Sequence, residues 1–461
     1  MPCARWRRRE IRNNLYCRDN LDTFALRNPD TIATFPELDL QNMMEIQRPA
    51  YLQQLIEAQG DGNIKVISGL RRCGKSYLLK RLFKQHLLES GVPGDHIILV
   101  DLENRRNSAL LNPDRLLDHI DAAMADDDLY FILLDEIQRV DEFTDVLATL
   151  LLKDNVEVYV TGSNSKFLSS DIVTEFRGRS TEIHMYPLSF AEYLTAFDGP
   201  ENTAFLEYMY YGGLPLILRQ ATHQKKAAYL TKVYRTVYLK DIYERHTIEY
   251  PAEFEELVKV LASSIGSPTN PTNLANTFKS KKHLKEITDK TIATYISYIE
   301  DAFIIEKAER YDIKGKEYID SPFKYYFQDL GIRNAVLSFR QLEETHMMEN
   351  VIYNELKVRG FSVDVGVVPV RVKNQDGNIV RKQYEVDFVA NKGSQRYYIQ
   401  SAWRMPTEGK EEQEGRPLRS ISDFFKKIIV TADNVLLKRD ESGIVTIPVI
   451  QFLKDPNSLD L

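Results

Sequence analysis

A glycine-rich segment early in the chain carries residue types suited to binding phosphate. Residues 69–76 read Gly-Leu-Arg-Arg-Cys-Gly-Lys-Ser, a complete Gly-x-x-x-x-Gly-Lys-Ser loop. The glycines allow backbone N–H groups to curl around phosphate oxygens, Lys75 adds a positive charge near the outer phosphates, and the Ser76 hydroxyl can ligate Mg²⁺. We therefore expect a nucleoside triphosphate to be bound through Gly69, Arg72, Cys73, Gly74, Lys75, Ser76 and Tyr77.

Two adjacent acidic residues follow this loop by about 60 residues. Asp135 and Glu136 come directly after the apolar run Tyr130–Leu134, as in a Walker B strand. We assign Asp135, together with Ser76, to the Mg²⁺ site, with Asp135 acting through water. Glu136 is then placed to orient or deprotonate the water that attacks the terminal phosphate.

Two later segments offer polar groups for the same reaction. Asn164 follows the strand-like run Val156–Val160, where an amide can contact the terminal phosphate or the water, although a simple Gly/Ser/Asn turn is the alternative. Arg177 and Arg179 flank a glycine and are candidates for an arginine finger that acts in cis or from a neighbouring subunit. Solvated surface arginines are the alternative for that pair.

The elements that position these residues are strands alternating with helices. Near-continuous apolar runs of this kind predict a parallel sheet that is buried on both faces, an α/β fold. Ligands of such sheets collect at the carboxyl ends of the strands, which is where the candidate residues lie. The predicted strands are Ile64–Ser68, Ile97–Val100, Tyr130–Leu134, Val156–Val160 and Glu182–Tyr186.

Length and composition limit the number of domains and the classes of partner and environment that fit the chain. A chain of 461 residues with 43% hydrophobic and 28% charged residues is expected to form two to four domains. The net charge of −7 argues against a broadly basic nucleic-acid-binding surface. Three cysteines and the lack of an apolar run of about 18 residues favour a reducing cytoplasm and no membrane span. Residues 1–42, which begin with an arginine cluster, are expected to be a disordered extension.

Several motifs together resemble a known family, the bacterial and archaeal AAA-type ATPases that end in a nuclease-like domain of unknown function. The resemblance covers residues 43–461, about nine-tenths of the chain. It is carried by the phosphate loop and by Leu134-Asp135-Glu136-Ile137-Gln138, Thr161-Gly162-Ser163-Asn164-Ser165, Phe176-Arg177-Gly178-Arg179, Tyr186-Pro187-Leu188-Ser189-Phe190 and Tyr211-Gly212-Gly213-Leu214-Pro215. No residue pattern in the sequence selects adenine over guanine. ATP as the nucleotide is therefore what the resemblance implies.

The resemblance also implies a domain order. A P-loop NTPase core with a parallel sheet would occupy residues 43–190, and a helical lid residues 191–250. A winged helix would follow at 251–325, and a restriction-endonuclease-like α/β domain at 326–461.

The segment 251–325 has the rhythm of a winged helix, which usually reads DNA with its third helix. Its helices are predicted from Phe254, Thr272 and Thr288, and a hairpin is predicted around Lys314-Gly315-Lys316. Residues expected to face outward or toward a partner are Lys290, Thr291, Thr294, Tyr295 and Tyr298. Nearby acidic residues make the module nearly neutral, so DNA binding and a packing or protein-partner role both remain open.

The last segment matches the pattern of PD-(D/E)XK nucleases only in part. Glu355 stands for the helix carboxylate and Asp387 for the strand carboxylate, and such groups hold Mg²⁺ in active enzymes. Gln400 and Ala402 occupy the positions of the second carboxylate and the lysine. We therefore expect a retained fold without cleavage chemistry, unless Lys392 or Arg404 substitutes for the lysine.

These observations predict a Mg²⁺-dependent ATP hydrolase that acts as a switch or motor on a nucleic-acid or protein partner. Two alternatives remain open: a nucleotide-gated DNA-binding protein with little turnover, and an ATP-regulated nuclease. DNA would bind through the winged helix, and self-association is the alternative to a separate protein partner.

Overall fold

A five-stranded parallel sheet forms the first part of the fold, in the order β2-β3-β4-β1-β5. Every residue of the first and third strands is buried, because helices cover both faces, and this explains their continuous apolar runs. The strands are β1 Ile64–Ser68, β2 Ile97–Asp101, β3 Tyr130–Asp135, β4 Val156–Thr161 and β5 Ser180–His184. The flanking helices are Pro49–Glu57, Lys75–Tyr77 continuing as a π-turn over Leu78–Phe83 into Lys84–Glu89, Pro113–Ala123 and Phe143–Leu150.

The computed structural model describes residues 45–163, 176, 178–282, 287–373 and 378–461. Residues Ile46–Leu461 belong to one compact unit. The extension predicted for residues 1–42 lies outside the described residues. In the described part of the chain, no helix combines the length and the apolar character needed to cross a membrane.

The order of the strands in the sheet differs from their order in the chain. The strand that separates the phosphate loop from Asp135 in the chain is β2, but in the sheet β2 is an edge strand beyond β3. The strand that lies between β1 and β3 is β4, so its carboxyl end is flanked by the loop and by Asp135. The last strand, β5, begins and ends two residues earlier than the predicted Glu182–Tyr186.

Residues 190–245 contain several helices, and the role of residues 191–250 as a lid stays a prediction. The first turn is closed by a capping box, in which the Ser189 hydroxyl accepts from Glu192 N and the Glu192 carboxylate accepts from Ser189 N. A break follows at Gly212, whose φ of 73° and close approach to the Asp329 carboxylate exclude a side chain. The helices are Phe190–Thr195, Glu201–Tyr211 and His223–Val233, the last continuing through a π-turn, Tyr234–Leu239, into Lys240–Arg245.

The next segment has the element order predicted for a winged helix. Three helices, Pro251–Ser263, Pro271–Lys282 and Asp289–Asp301, are followed by the antiparallel strands β6 Ile305–Asp312 and β7 Glu317–Phe327. This hairpin is not a free wing, because β6 also pairs in parallel with the strand that begins at Ser362. The boundary predicted between residues 325 and 326 falls inside β7.

An eight-stranded mixed sheet therefore spans the second half of the described chain, in the order β12-β13-β11-β10-β9-β8-β6-β7. Its remaining strands are β8 Ser362–Lys373, β9 Ile379–Lys392, β10 Gln395–Ala402, β11 Lys426–Thr431, β12 Lys438–Arg439 and β13 Val445–Pro448. Helices Leu330–Val336, Glu344–Val358, Glu408–Arg419 and Val449–Lys454 accompany it. Helix Glu344–Val358 packs its aromatic Tyr353 against Tyr326 of β7 and Phe388 of β9.

Candidate nucleotide-binding site

The phosphate loop leaves the carboxyl end of β1 and opens a helix at Lys75. Gly69 has a φ of 133°, and a Cβ atom there would lie 2.1 Å from the carbonyl oxygen of Met185. Gly74 has a φ of 113°, a conformation that L-residues rarely adopt. Both glycines are therefore required by the loop geometry as well as by access of phosphate to the backbone.

Lys75 is buried within the loop. Its Nζ donates hydrogen bonds to the carbonyl oxygens of Gly69 at 2.8 Å and Leu70 at 3.1 Å. The ammonium group is thus held over the loop by neutral acceptors, which a negatively charged phosphate oxygen can replace with a stronger contact between opposite charges.

Arg48 holds the loop from the outside, and sequence analysis missed it. Its Nη1 donates to Cys73 O at 3.1 Å, its Nη2 donates to Tyr186 O at 2.8 Å, and its Nε pairs with Glu192 at 2.8 Å. The side chain is buried, with a relative exposure of 2%. Nothing in the sequence around Arg48 indicates this role, because every partner is distant in the chain.

Thr161, the last residue of β4, orders both acidic residues. Its Oγ1 donates to Asp135 Oδ1 at 2.7 Å and accepts from the backbone N–H of Glu136 at 2.9 Å. Glu136 has a φ of 59°, in the left-handed region that is costly for a residue with a side chain. The buried hydroxyl therefore fixes one carboxylate directly and the other through its backbone.

Lys80 brings the loop helix against the acidic strand ends. It lies one helical turn beyond Ser76, and its Nζ is 2.8 Å from Asp135 Oδ2 and 2.9 Å from Asp101 Oδ2. Burial lowers the pKa of the Lys80 ammonium, but the hydrogen bonds to the two carboxylates outweigh burial and raise the pKa above its ordinary value. The spacing of four residues from Ser76 places Lys80 on the same face of the helix, so the sequence could have indicated that Lys80 lies near the site.

The Glu136 carboxylate is held by neighbours on both sides. Gln138 Nε2 and, at 3.4 Å, Ser163 Oγ donate to its Oε2. Ser163 accepts in turn from Arg71 Nε at 3.0 Å. These contacts bring the segment after β4, the loop and the acidic pair together at one edge of the sheet.

The structure locates the other predicted residues as follows. Cys73 is buried and its thiol donates to Met185 O at 3.3 Å, so it is part of the loop packing. Arg72 is exposed, and Tyr77 is half-buried on the opening helix. Asn164 and Arg177 lie outside the described residues.

Arg179 lies away from the loop. Its carbonyl oxygen accepts from Ile64 N at 3.0 Å, which places Arg179 beside the first residue of β1. The loop follows the last residue of β1, Ser68, about 13 Å farther along the strand. Arg179 is exposed at the opposite edge of the sheet, so the geometry disfavours a finger that acts on the nucleotide of its own chain.

A second polar cluster lies in the eight-stranded sheet. Lys324 Nζ is 2.9 Å from Glu349 Oε1, 2.8 Å from Glu385 Oε1 and 3.9 Å from Asp387 Oδ1. Burial would raise the pKa of the Glu349 carboxyl, but the Lys324 ammonium helps to hold it below its ordinary value. Burial and the Glu349 charge raise the pKa of Asp387 well above its ordinary value. Lys324 is thus the internal cation of a buried acidic cluster.

This cluster corrects the assignment of the helix carboxylate. Glu349, six residues earlier on the same helix, neighbours Asp387, whereas Glu355 pairs with Arg359 at 2.8 Å. Lys392 donates to the Arg359 carbonyl oxygen at 2.7 Å. Arg404 is exposed, and Gln400 and Ala402 are buried.

The predicted outward face of the third helix is only partly exposed. Lys290 and Thr294 are exposed, and Thr291 is half-buried. Tyr295, in contrast, is buried, and its hydroxyl accepts from Tyr250 N at 3.0 Å. Tyr298, half-buried, stacks on His246 with ring centroids 3.8 Å apart. The expectation that Tyr295 faces outward was wrong, because this side of the helix packs against the preceding segment.

A phosphate loop after the β1 strand, with an acidic pair at the end of β3, defines a nucleotide-binding AAA-type ATPase domain. Residues 61–194 match the family described as an AAA domain, and residues 202–343 match a domain of unknown function (DUF8612).

Two relatives span most of the chain. An uncharacterized protein of Haemophilus influenzae is 31% identical over 415 residues, which are 88% of this chain and 98% of the relative. The chain therefore belongs to the same family as that protein. An uncharacterized protein of Methanocaldococcus jannaschii is 28% identical, over 88% of each chain. Among solved structures, a Walker-type ATPase of Pyrococcus abyssi is similar at 15% identity with a TM-score of 0.46, over 66% of this chain and 99% of that one.

Proposed function

We propose that this protein hydrolyses ATP with Mg²⁺ and uses the cycle to act on a partner bound by its C-terminal half. One observation carries the proposal: the Lys80–Asp135 ion pair of 2.8 Å, which joins the helix that opens at the phosphate loop to the acidic end of β3. We call the region between the loop and the acidic pair, at the carboxyl edge of the sheet, the cleft, and we infer binding there because ligands of such sheets bind at this edge.

In this proposal the loop binds the phosphates of ATP. The backbone N–H groups from Gly69 to Ser76 cradle the phosphates, and Lys75 exchanges its loop carbonyl partners for phosphate oxygens. Arg72, Cys73 and Tyr77 line the same stretch and contact the nucleotide through backbone or side chain. ATP rather than GTP is inferred from the family resemblance.

The oxygen donors near the cleft fit Mg²⁺. The Ser76 hydroxyl and the Asp135 carboxylate are the ligand types that this ion prefers. Because Lys80 lies 2.8 Å from Asp135 Oδ2 and Thr161 occupies Oδ1, Asp135 would reach the ion through a water molecule. When bound, Mg²⁺ would neutralise negative charge that develops during phosphoryl transfer.

Glu136 is the proposed group that orients or deprotonates the attacking water. Thr161 holds its backbone, so the point from which the side chain extends is fixed. Its present partners, Gln138 and Ser163, are side-chain donors that a water molecule can replace or share. Asn164, next to Ser163 in the chain, is proposed to contact the terminal phosphate or the same water.

Arg177 and Arg179 are proposed to act on the nucleotide of a neighbouring copy of the chain. The support is the exposed position of Arg179 at the edge of the sheet opposite its own loop. A charged side chain there is available to a second subunit but is far from the phosphates bound by its own chain. The proposal therefore includes self-association.

The remaining segments are proposed to transmit the ATPase cycle. Residues 191–250 would be a lid, residues 251–325 a winged-helix module, and residues 326–461 a nuclease-like module without cleavage chemistry. Support for lost cleavage is that Lys324, a cation, already lies among the carboxylates around Asp387 and offsets part of their negative charge. Exposed Lys290 and Lys316 favour a phosphate-bearing partner such as DNA, and the acidic surroundings leave a protein partner as the alternative.

The test is steady-state phosphate release from Mg²⁺ and ATP, with and without duplex DNA, for the wild type and Glu136→Gln. Glu142→Gln is the matched control. Glu142 also has a positive φ, 48°, but its side chain is exposed and it directly precedes the helix Phe143–Leu150. Turnover that Glu136→Gln abolishes and Glu142→Gln leaves unchanged supports the ATPase assignment.

The DNA arm separates the alternatives. Stimulation by DNA supports a DNA-coupled switch or motor, and indifference to DNA favours a protein partner. Retained DNA binding without any phosphate release would instead support a nucleotide-gated binding protein. Nicking of DNA with Mg²⁺ that Asp387→Ala abolishes would support the nuclease alternative and overturn the inactive assignment.

A further inference from the structure

Arg71 joins the phosphate loop to two other parts of the protein. Its Nε donates to Ser163 Oγ at 3.0 Å, and its Nη2 lies 3.1 Å from Asp241 Oδ1. Ser163 in turn donates to Glu136 Oε2 at 3.4 Å. One guanidinium group therefore lies between the acidic pair of the cleft and a carboxylate of the helix Lys240–Arg245.

Asp241 has two cations on a single oxygen. Arg245 Nη2 lies 2.9 Å from Oδ1, the same atom that Arg71 contacts. Asp241 is buried, and burial raises the pKa of its carboxyl although both arginines act to lower it. Arg71, in contrast, keeps 34% of its side chain exposed. A fixed, buried anion is thus paired with a cation that is partly exposed.

The backbone of Arg71 is held separately from its side chain. Tyr238, in the π-turn before the helix Lys240–Arg245, donates from its hydroxyl to Arg71 O at 2.9 Å. Because this bond anchors the backbone, the guanidinium can change partners by side-chain rotation while the loop stays in place. Turns of this π type occur frequently at functional sites.

We propose that Asp241 competes with the terminal phosphate of ATP for Arg71. The idea rests on the proposed function, since it requires a nucleotide on the loop. A terminal phosphate carries more negative charge than a carboxylate and matches the fork of a guanidinium, so Arg71 exchanges Asp241 for phosphate. Asp241 then keeps Arg245, and no buried carboxylate is left without a cation.

This exchange makes Arg71 a specificity-determining residue for ATP over ADP. ADP has no terminal phosphate, so it leaves the Arg71–Asp241 pair intact. ATP removes one of the contacts that hold the helix Lys240–Arg245 to the loop, and this helix leads directly into the C-terminal half of the chain. The same contact therefore reports the nucleotide state to the segments proposed to bind the partner.

The decisive experiment compares affinities for a non-hydrolysable ATP analogue, adenylyl imidodiphosphate, and for ADP, both with Mg²⁺. Asp241→Asn weakens the competitor, so it is expected to tighten analogue binding by about fivefold or more, with ADP affinity within about twofold of wild type. Arg71→Met is expected to weaken analogue binding by about tenfold and to leave ADP affinity unchanged. In the Arg71→Met background, Asp241→Asn is expected to give no further tightening.

Glu244→Gln is the matched control. It removes one negative charge from the same short helix, where Glu244 is exposed and pairs with Lys240 at 3.4 Å. If general electrostatic attraction of the nucleotide explained the effect, Glu244→Gln would tighten binding as much as Asp241→Asn. An unchanged affinity in Glu244→Gln supports specific competition for Arg71.

Several results overturn the inference. One is an Asp241→Asn variant whose preference for the analogue over ADP equals that of the wild type, and another is a gain that persists in the Arg71→Met background. If Asp241→Asn fails to fold, an Arg71→Met variant that binds both nucleotides like the wild type is sufficient to reject it. Binding of the analogue together with an absence of phosphate release from ATP rejects the proposed ATPase activity alone, whereas failure of all forms to bind either nucleotide rejects both proposals.

Discussion

The hydroxyl of Thr161 offers the sharpest test of how the cleft is built. Thr161→Val keeps the shape of the side chain but removes the group that donates to Asp135 Oδ1 and accepts from Glu136 N. Valine occupies the same space on β4, so the surrounding packing is preserved. Both polar groups of the acidic pair then lose a buried partner.

The magnitude follows from these two bonds. A hydrogen bond to a charged carboxylate contributes about 1.5–3 kcal/mol and one between neutral groups about 1 kcal/mol. We therefore expect Thr161→Val to lower the free energy of unfolding by about 2–4 kcal/mol. Glu136 also loses the bond that stabilises its left-handed backbone, so the turnover number for ATP is expected to fall by about 10- to 100-fold.

Two assays distinguish the site effect from general destabilisation. Denaturant titration measures stability, and phosphate release measured well below the unfolding transition gives the turnover number. Thr161→Ser retains the hydroxyl and should keep turnover within about threefold of wild type. Thr431→Val is the matched control, because Thr431 is equally buried at the end of β11 and accepts from Asp433 N, far from the cleft.

Comparing the two valine variants tests whether the Thr161 hydroxyl positions the acidic pair. Thr431→Val should lower stability and leave turnover unchanged, whereas Thr161→Val should lower both. Wild-type turnover in a folded Thr161→Val protein would refute the idea that this hydroxyl positions the acidic pair. Equal loss of turnover in both valine variants would show that the effect follows stability alone.

Three further predictions concern buried charges. Arg48→Met should lower the free energy of unfolding by about 3–5 kcal/mol in denaturant titration, because Glu192 loses its buried cation; a loss below about 1 kcal/mol would contradict this. Burial raises the pKa of Glu300 to about 7, so its contribution to stability is fully present below about pH 4.5 and is lost as pH rises through 7. Glu300→Gln should flatten the pH dependence of the free energy of unfolding across that window, by at most about 3 kcal/mol. An unchanged pH dependence would argue against the raised pKa. Lys324→Met should cost about 3–5 kcal/mol at pH 7. The cost should be smaller at pH 4, because Asp387 has a raised pKa and Glu349, without the Lys324 ammonium that lowers its pKa, can also take up a proton. A loss independent of pH would indicate packing instead of charge.

Local sequence patterns were sufficient to predict much of the first sheet and its loop. The phosphate loop and the β1, β3 and β4 strands were found from the sequence because their signals lie within short windows: glycine spacing, a continuous apolar run and an acidic pair at its end. The helices of residues 190–301 were also expected. β5 ends two residues before its predicted end, because it pairs with β1 and β1 stops at Ser68, opposite His184.

The carboxylate of the second cluster shows where local patterns fail. Glu349 and Glu355 lie on one helix, and either satisfies a pattern that asks for a helical carboxylate. This helix buries residues around most of its circumference from Met347 to Leu356, so amphipathicity does not define which side faces β9. The rotation of the helix against the sheet, a tertiary property, brings Glu349 to Lys324 and leaves Glu355 with Arg359.

The sequence by itself determined that this chain has a phosphate-binding loop, an acidic pair and an AAA-type α/β core, because each depends on residues close together in the chain. Only the tertiary structure decided that Arg48 holds the loop, that Thr161 orders the acidic pair and that Arg71 is shared between the cleft and Asp241. These contacts join residues about 25 to 170 positions apart. Their geometry is set by strand order and helix docking, which no local spacing encodes.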